Sequence, residues 1–219
     1  MRDFYKVLLL SQSGKGKTYS FRNMNPETTG FINIENKPLP FKNKFKYYFR
    51  PEGKDAGQDL IGIEKSIIEF AKNPEINCVV LDSISAYMDI LMRHSKKTKR
   101  GYDIYSFYNE ELDRFLNLIK RIPKEVFVTG HYEILGIEGI QEKRAKVHGK
   151  QFEGTLEKEF TITLYAGNKT KDDGKPEYFF NLYEEDSSSK CPPGIFGEDV
   201  IQIQNDSNAV LNQILEFTK

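Results

Sequence analysis

The sequence predicts an α/β fold with three layers: a mostly parallel β-sheet between helices, with an antiparallel hairpin added at the C-terminal edge of the sheet. Three observations support this prediction. Short apolar runs alternate along the chain with helical segments. Those runs show little polar alternation, which is typical of strands buried on both faces. Two later runs flank a turn-rich segment, which is typical of a hairpin.

Five short runs rich in Val, Ile, Leu and Phe are the predicted core strands. They lie at residues 4–10, 30–34, 45–49, 78–81 and 126–129. The first run is too short to span a membrane and precedes no small-residue cleavage site. A strand is therefore predicted there, and no membrane association is expected.

Helices are predicted where apolar residues recur at steps of three and four. This period is present at residues 59–73 and 108–122. A final helix is predicted within residues 205–217, where Asn205 or Asp206 is placed to cap the N-terminus. Strands that alternate with helices connect through right-handed crossovers, which place the helices against the sheet faces.

The hairpin is predicted from two apolar stretches late in the chain. Residues 159–167 and 176–185 are the expected strands, and the turn-rich segment "NKTKDDGK" lies between them. The parallel core is therefore expected to gain an antiparallel edge after Gly149.

Length and composition indicate one globular domain over residues 1–219. Lys plus Arg and Asp plus Glu both total 32, so the formal net charge is zero and no global basic field draws the chain to nucleic acid. Any such contact must use local patches. Cys78 and Cys191 form neither a disulfide framework nor a pair with metal-ligand spacing, and a reducing cytoplasm is predicted.

The first run leads into "SQSGKGKT", whose spacing is that of a phosphate-binding loop. Ser11 stands where glycine is usual, and Gly16, Lys17 and Thr18 follow at the expected distance. Gly14 and Gly16 let backbone amides surround anionic oxygens, and the following helix presents its positive end. Lys17 is expected to bridge the outer phosphates and Thr18 to bind Mg²⁺. The alternative is a glycine-rich turn, but the order strand, loop, helix favours a phosphate site.

Asp82 ends the apolar run in "INCVVLDSIS". A carboxylate at this strand end can hold Mg²⁺ beside Thr18, directly or through water. An aspartate at a strand end is otherwise a turn residue or a helix cap. The phosphate-binding loop upstream favours the metal role.

These motifs resemble those of RecA-type ATPases. "VVLDSIS" resembles their Walker B strand, and "FINIENKPL" resembles the strand that ends in the glutamate activating the attacking water, which assigns that role to Glu35. "EVFVTGHYEI" is similar to the strand that ends in a γ-phosphate sensor, usually glutamine, and His131 stands there instead. A histidine after Thr-Gly resembles short phage ATPases of this class, including Sak-type single-strand annealing proteins. The resemblance spans residues 4–217 and implies a RecA-like P-loop NTPase core that uses ATP and Mg²⁺.

The resemblance also implies roles for individual residues. His131 is an expected sensor, or a structural hydrogen-bonding residue; Glu35 is otherwise a surface glutamate. Lys190 matches the basic residue that reaches the ATP of a neighbouring subunit, and its alternative is a solvated loop lysine. A homo-oligomer, either a ring or a short filament, is therefore expected. The residues expected to contact the nucleotide are Ser13, Gly14, Lys15, Gly16, Lys17, Thr18 and Tyr19.

Two basic segments, residues 92–102 and 142–150, fall where RecA-like proteins place their DNA-binding loops. Their cations would neutralise phosphates of single-stranded DNA, and Tyr102, Tyr105 or Phe152 would stack on unpaired bases. The alternative is a pair of solvated charged loops. The candidate DNA-binding residues are Arg93, Lys96, Lys97, Lys99, Arg100, Lys143, Arg144, Lys146 and Lys150.

Three functions follow from these features. The leading one is a Mg²⁺-dependent ATPase that acts on single-stranded DNA in phage-type recombination or annealing, in the host cytoplasm if phage-encoded. A small-molecule kinase shares the phosphate-binding loop, with residues 93–100 as the nearest candidate for a lid. The third is an ATP-dependent switch or loader that recruits a replication or single-strand-binding protein and barely hydrolyses ATP. The role of Glu35 separates the first function from the third.

Overall fold

An eight-stranded β-sheet forms the middle layer of the molecule. The computed structural model describes residues 3–137, 140–197 and 199–219. These residues contain ten strands: β1 (Lys6–Leu10), β2 (Thr29–Asn33), β3 (Tyr47–Phe49), β4 (Cys78–Asp82), β5 (Glu125–Gly130), β6 (Tyr132–Ile137), β7 (Ile140–Ala145), β8 (Ile162–Thr170), β9 (Pro176–Asn181) and β10 (Gln202–Gln204). Of these, β6 and β7 form a separate two-stranded hairpin.

The strand order across the sheet is β10-β9-β8-β1-β5-β4-β2-β3. All pairs from β8 to β3 are parallel, and Leu10 at the end of β1 lies level with Gly130 of β5 and Tyr165 of β8. The predicted mostly parallel sheet is confirmed. The predicted hairpin is β8 and β9, but β8 is itself a parallel neighbour of β1, so β9 and β10 make the antiparallel edge.

Four α-helices lie in the described residues: α1 (Ala56–Lys72), α2 (Ile84–Thr98), α3 (Asp103–Arg121) and α4 (Ser207–Phe217). Three of them begin after a side chain that caps the N-terminus, whereas Tyr102, before α3, makes no capping hydrogen bond. Ser83 caps α2 by accepting a hydrogen bond from the backbone of Ala86, and Asp206, rather than Asn205, caps the last helix. The predicted helical periods at 59–73 and 108–122 lie in α1 and α3. No helix in the part of the chain that the structure describes is long and apolar enough to cross a membrane. Short 3₁₀ helices occupy Thr18–Asn23 and Leu156–Glu159.

Two apolar cores cover the two faces of the sheet. Leu8 and Leu10 of β1 point into the core that α1, α2 and α3 close, whereas Val7 and Leu9 point to the face covered by the first 3₁₀ helix and α4. Each of these side chains is fully buried and contributes roughly 1.5–3 kcal/mol by leaving water. The three-layer arrangement is confirmed, and it fixes the carboxyl ends of β1, β2, β4 and β5 at one edge.

Candidate active site

The loop after β1 has the backbone of an anion-binding turn. Gly14 and Gly16 have φ values of 77° and 91°, a region that favours glycine. The Ser11 amide donates to the carbonyl of Gly130, 3.2 Å away, which anchors the loop to β5. The predicted order of strand, loop and helix is confirmed. The helix, however, is a six-residue 3₁₀ helix, Thr18–Asn23, rather than a longer α-helix.

Lys17 is buried inside this loop. Its Nζ donates to the Ser11 carbonyl at 3.0 Å, to the Ser11 hydroxyl at 2.9 Å and to the Gln12 carbonyl at 3.3 Å. Burial lowers the pKa of Lys17 to about 8, although the charges of Asp82 and Glu35 oppose this shift. The ammonium group therefore lies where the loop would hold the outer phosphates of a nucleotide.

Asp82 is the last residue of β4 and is held by two hydroxyl groups. Thr18 Oγ1 donates to Asp82 Oδ2 at 2.8 Å, and the Thr129 hydroxyl donates to Oδ1. Burial raises the pKa of Asp82, and these hydrogen bonds counteract the rise. The peptide bond between Asp82 and Ser83 is cis. Thr129 was not identified from the sequence.

The Thr18 and Asp82 oxygens fit a magnesium ion. Mg²⁺ prefers oxygen ligands and is usually held by one or two carboxylates together with waters and substrate phosphates. Among residues 3–137, 140–197 and 199–219, no group of three or more His, Cys, Asp and Glu side chains could hold a metal by itself. This donor set therefore suits an ion that takes its remaining ligands from a nucleotide and water.

Glu35 lies two residues beyond β2, beside Asp82. Its amide donates to the Asp82 carbonyl at 3.1 Å, while the Ser83 hydroxyl donates to Oε1 at 3.2 Å. Burial alone would raise the pKa of Glu35. The ammonium of Lys37, 2.8 Å from Oε2, and the Ser83 hydroxyl outweigh burial and hold that pKa below its usual value. Glu35 is therefore ionised at neutral pH, as a general base must be.

His131 follows β5 and its ring lies between Lys17 and Glu35. Nδ1 is 3.4 Å from Lys17 Nζ and 3.2 Å from the Ser11 carbonyl, and Nε2 is 3.9 Å from Glu35 Oε1. The His131 amide donates to Ser85 Oγ in the first turn of α2, 2.9 Å away. Burial and the charge of Lys17 lower the pKa of His131, so its ring is neutral at neutral pH.

All seven residues expected to contact a nucleotide line one cavity of about 530 Å³. Tyr178 of β9 also lines it and was not identified from the sequence. A Cβ atom at Gly16 would lie 2.7 Å from Cδ1 of Tyr178, so this close approach needs glycine in the loop. The other residues lining the cavity include Asn33, Glu35, Lys37, Asp82 and His131.

Lys190 lies away from this cavity. Its backbone forms two hydrogen bonds with Thr163, which is level with Leu8 in the middle of β1, whereas the cavity lies beyond the end of that strand. Burial lowers the pKa of Lys190, and Glu157 and Glu159 oppose the shift. The structure does not bring Lys190 to the nucleotide cavity of its own chain, and a role at a neighbouring subunit stays a prediction.

The first basic segment lies on the last turns of α2 and in the turn that follows. Arg93, Lys96, Lys97 and Arg100 are exposed, and Lys97 forms an exposed ion pair with Asp55 at 2.7 Å. The candidate kinase lid, residues 93–100, is therefore helical up to Thr98 rather than a loop. Arg93 also lines a second cavity, of about 300 Å³, together with Glu35 and His131.

The second basic segment differs from the predicted loop because it begins as strand β7. Lys143 is paired with Glu184 and Arg144 with Glu142, whereas Lys146 and Lys150 are exposed.

The prediction that Phe152 stacks on bases is wrong, whereas those for the other two aromatic residues stay open. Phe152 is 5% exposed and packs in the core on the α1–α3 face, so its ring cannot contact DNA without leaving that core. Tyr102 and Tyr105 are 86% and 46% exposed. These two rings therefore remain available at the surface.

Comparisons with known proteins agree with this architecture. A family model described as AAA domain matches residues 3–207. The crystal structure of a KaiC-like protein from the hyperthermophilic archaeon Pyrococcus horikoshii is 14% identical, covers 85% of this chain and 82% of its own, and superposes with a TM-score of 0.51. At that identity the likeness shows the fold alone, and no curated protein matches the chain. Because the family model spans nearly all of the sequence, the chain belongs to the AAA domain family, with the core of a RecA-like P-loop ATPase.

Proposed function

We propose that this chain binds and hydrolyses ATP with Mg²⁺, and that it acts on single-stranded DNA in recombination or annealing. One observation carries the ATPase part. Lys17, Asp82 and Glu35 come from three separate segments, and all three line one cavity beside the loop at Gly14 and Gly16. This set provides a phosphate cradle, a metal-binding carboxylate and a general base at one place.

Each residue has a chemical task in this proposal. Backbone amides of the loop and the Lys17 ammonium hold the phosphates, and the Glu35 carboxylate accepts a proton from the attacking water. The neutral His131 ring, which lies next to both Lys17 and Glu35, reports whether the outer phosphate is present. Mg²⁺ held by Thr18 and Asp82 would neutralise charge on the phosphate oxygens.

The proposed DNA surface is supported by the proximity of the two basic segments. Gly149, next to Lys150, lies against the Tyr105 ring at the start of α3. The neighbouring His148 also bonds Asp89 of α2, with 2.7 Å between Nε2 and Oδ1. Exposed cations and partly exposed tyrosines therefore share one surface. Such a surface suits single-stranded DNA, whose phosphates need cations and whose bases stack on aromatic rings.

A homo-oligomer, as a ring or a short filament, is part of the proposal. Lys190 lies away from the cavity of its own chain, so a role like that of an arginine finger would be at the ATP of a neighbouring subunit. A replication or single-strand-binding protein is a further proposed partner of such an assembly.

ATP hydrolysis measured with and without single-stranded DNA tests the proposal. We expect Mg²⁺-dependent turnover that DNA stimulates. Transfer of the γ-phosphoryl group to a metabolite, without DNA stimulation, would support a kinase instead. Tight ATP binding without turnover would support a switch or loader.

A charge-matched pair of variants tests the DNA surface. Replacing Lys96, Lys97, Lys99 and Arg100 by Ala should weaken oligonucleotide binding and reduce the slope of log affinity against log salt by about 3, because each phosphate contact contributes roughly 0.7 to the slope for single strands. The control replaces four exposed lysines elsewhere, so that the net charge changes equally. Equal loss in both variants would reject a specific surface on α2. The control positions are Lys42, Lys44, Lys65 and Lys72.

A further inference from the structure

Two tyrosines lie where the nucleotide cavity opens into a second groove. Tyr19 follows the phosphate-binding loop and Tyr178 lies in β9, and both line the cavity of about 530 Å³. Both also line the adjoining groove, which has a volume of about 710 Å³. Tyr19 is 36% exposed and Tyr178 is partly buried, so both rings retain surface that faces this opening.

The Tyr178 ring is held against the loop by direct contacts. Tyr178 is the register partner of Asn168 in β8, and the side-chain oxygen Oδ1 of Asn168 accepts a hydrogen bond from Lys15 Nζ at 2.8 Å. The ring also packs against Gly16 so closely that a Cβ there would clash. The position of Tyr178 relative to the loop is therefore fixed by the β8–β9 hairpin.

Tyr19 and Tyr178 form one aromatic surface. Their ring centroids are 5.7 Å apart with an interplanar angle of 50°. The guanidinium group of Arg22 lies 4.4 Å from the centroid of Tyr19, a cation–π contact that restrains this ring. Aromatic surfaces of this kind bind the faces of nucleobases, because every base has a π-face.

Strand order determines which end of a nucleotide this surface can meet. Glu35, Asp82 and His131 lie at or just beyond the carboxyl ends of β2, β4 and β5, which are all on one side of β1. Tyr178 lies in β9, on the other side of β1. Since the reactive outer phosphate must lie beside Glu35, the nucleoside end of the same molecule extends towards Tyr178.

We infer that Tyr178 and Tyr19 form a stacking surface for the nucleobase and give this site a preference for purine over pyrimidine nucleoside triphosphates. Purines present the larger π-face and therefore gain more from stacking. Base stacking on an aromatic side chain strengthens binding by roughly 5- to 150-fold. The inference rests on the proposed function, because the triphosphate must occupy the loop for the base to reach this surface.

Equilibrium binding of three ligands in the presence of Mg²⁺ tests the inference: ATP, CTP and inorganic tripolyphosphate, which lacks a base. In the native protein, ATP should bind more tightly than CTP and at least 5-fold more tightly than tripolyphosphate. Tyr178→Ala should lower the affinity for ATP towards that for tripolyphosphate and leave the tripolyphosphate affinity unchanged. Tyr178→Phe should keep the preference, since stacking needs the ring and not the hydroxyl. Tyr183→Ala, which removes a 44% exposed tyrosine just beyond β9, is the control and should bind all three ligands as the native protein does.

The outcomes separate the inference from the proposed function. If neither ATP nor tripolyphosphate binds the native protein, the proposed function fails. If both bind with equal affinity, or if ATP and CTP bind alike, the inference is wrong while the phosphate site stands. The inference is also wrong if Tyr178→Ala binds ATP and tripolyphosphate with the same ratio of affinities as the native protein. If Tyr178→Ala misfolds and loses tripolyphosphate binding, the affinities of the native protein for the three ligands still test the inference.

Discussion

Two lysines are buried at opposite ends of the central strand β1, and only one of them lies beside the proposed active site. Lys6 begins β1 and is 4% exposed, whereas Lys17 lies beyond the end of the same strand and is 7% exposed. Burial lowers the pKa of each to about 8. By residue type, burial and titration the two side chains are nearly equivalent.

Their surroundings differ. Lys6 Nζ donates to the carbonyls of Ile122 and Lys124, at 2.8 and 2.7 Å, just beyond the end of α3, where a cation is favourable. Lys17 instead donates to oxygens of its own loop and lines a cavity with Asp82 and Glu35. Perturbed titration therefore does not by itself identify a functional lysine. Lys6 also lies near a carboxylate, that of Glu125, so the feature that distinguishes Lys17 is the cavity that it lines together with Asp82 and Glu35.

The largest expected effect is on the ATPase rate when Glu35, a carboxylate that lines the cavity with Lys17, is replaced. Glu35→Gln removes the proposed base, and the ATPase rate should fall roughly 100- to 10,000-fold. ATP affinity should stay within a few-fold of the native value, because Lys17 and the loop are intact. Steady-state hydrolysis and direct ATP binding check this, with Glu27→Gln at an exposed position as the control. Unchanged turnover would remove Glu35 from the chemistry and favour a switch.

Lys17→Ala should have the next largest effect. A charge-assisted hydrogen bond contributes roughly 1.5–3 kcal/mol, so losing one to a phosphate should weaken ATP binding roughly 10- to 150-fold. The matched variant is Lys6→Ala, which removes an equally buried lysine far from the cavity and should leave ATP affinity unchanged. Calorimetric titration of both variants with ATP and Mg²⁺ distinguishes them. Equal weakening in both would mean that burial, and not the site, explains Lys17.

Much of the fold could be predicted because the strands of the parallel core are buried on both faces. The runs that became β1 and β4 carry almost no polar residues, so their type was unambiguous. The β6–β7 hairpin was missed. The "EKRA" end of β7 carries charged residues, and its strand character comes from pairing with β6 rather than from apolar burial. A charged segment of this kind looks like a loop in the sequence.

The site was predictable where one short motif fixes the geometry. Lys17 and Thr18 belong to such a motif, whereas Tyr178 reaches the loop only because β9 lies two strands from β1. Single polar residues such as Thr129 and Ser85 become part of the site only through contacts across strands. Phe152 was wrongly predicted to be at the surface because the residues around it are basic, but its side chain is buried in the core.

Lys6→Met tests the structural side of the comparison. The change keeps an apolar chain of similar length but leaves the carbonyls of Ile122 and Lys124 without their donor. An unsatisfied buried acceptor costs about 1–3 kcal/mol, partly offset here by removing a desolvated amine, so we expect a loss of about 2 kcal/mol in the free energy of unfolding. Urea denaturation measures it, and Lys42→Met at an exposed position should stay within about 0.5 kcal/mol of the native protein. A loss of ATP binding in Lys6→Met would contradict a purely structural role.

The smallest expected effect is the dependence of stability on pH that Lys6 contributes. Its pKa rises from about 8 in the folded state to 10.5 in the unfolded state, so between these values the unfolded chain holds a proton that the folded chain has released. The contribution of this group to stability therefore increases as pH rises from about 8 to 10.5, and it is lost as pH falls back to about 8, below which both states hold the proton. Between pH 7.5 and 9 the native protein should gain about 1 kcal/mol relative to Lys6→Met, since a full proton corresponds to about 1.36 kcal/mol per pH unit. Urea denaturation of both proteins at these two pH values measures the difference. If the difference in free energy of unfolding between the two proteins is the same at both pH values, the Lys6 amine stays protonated in the folded protein despite its burial.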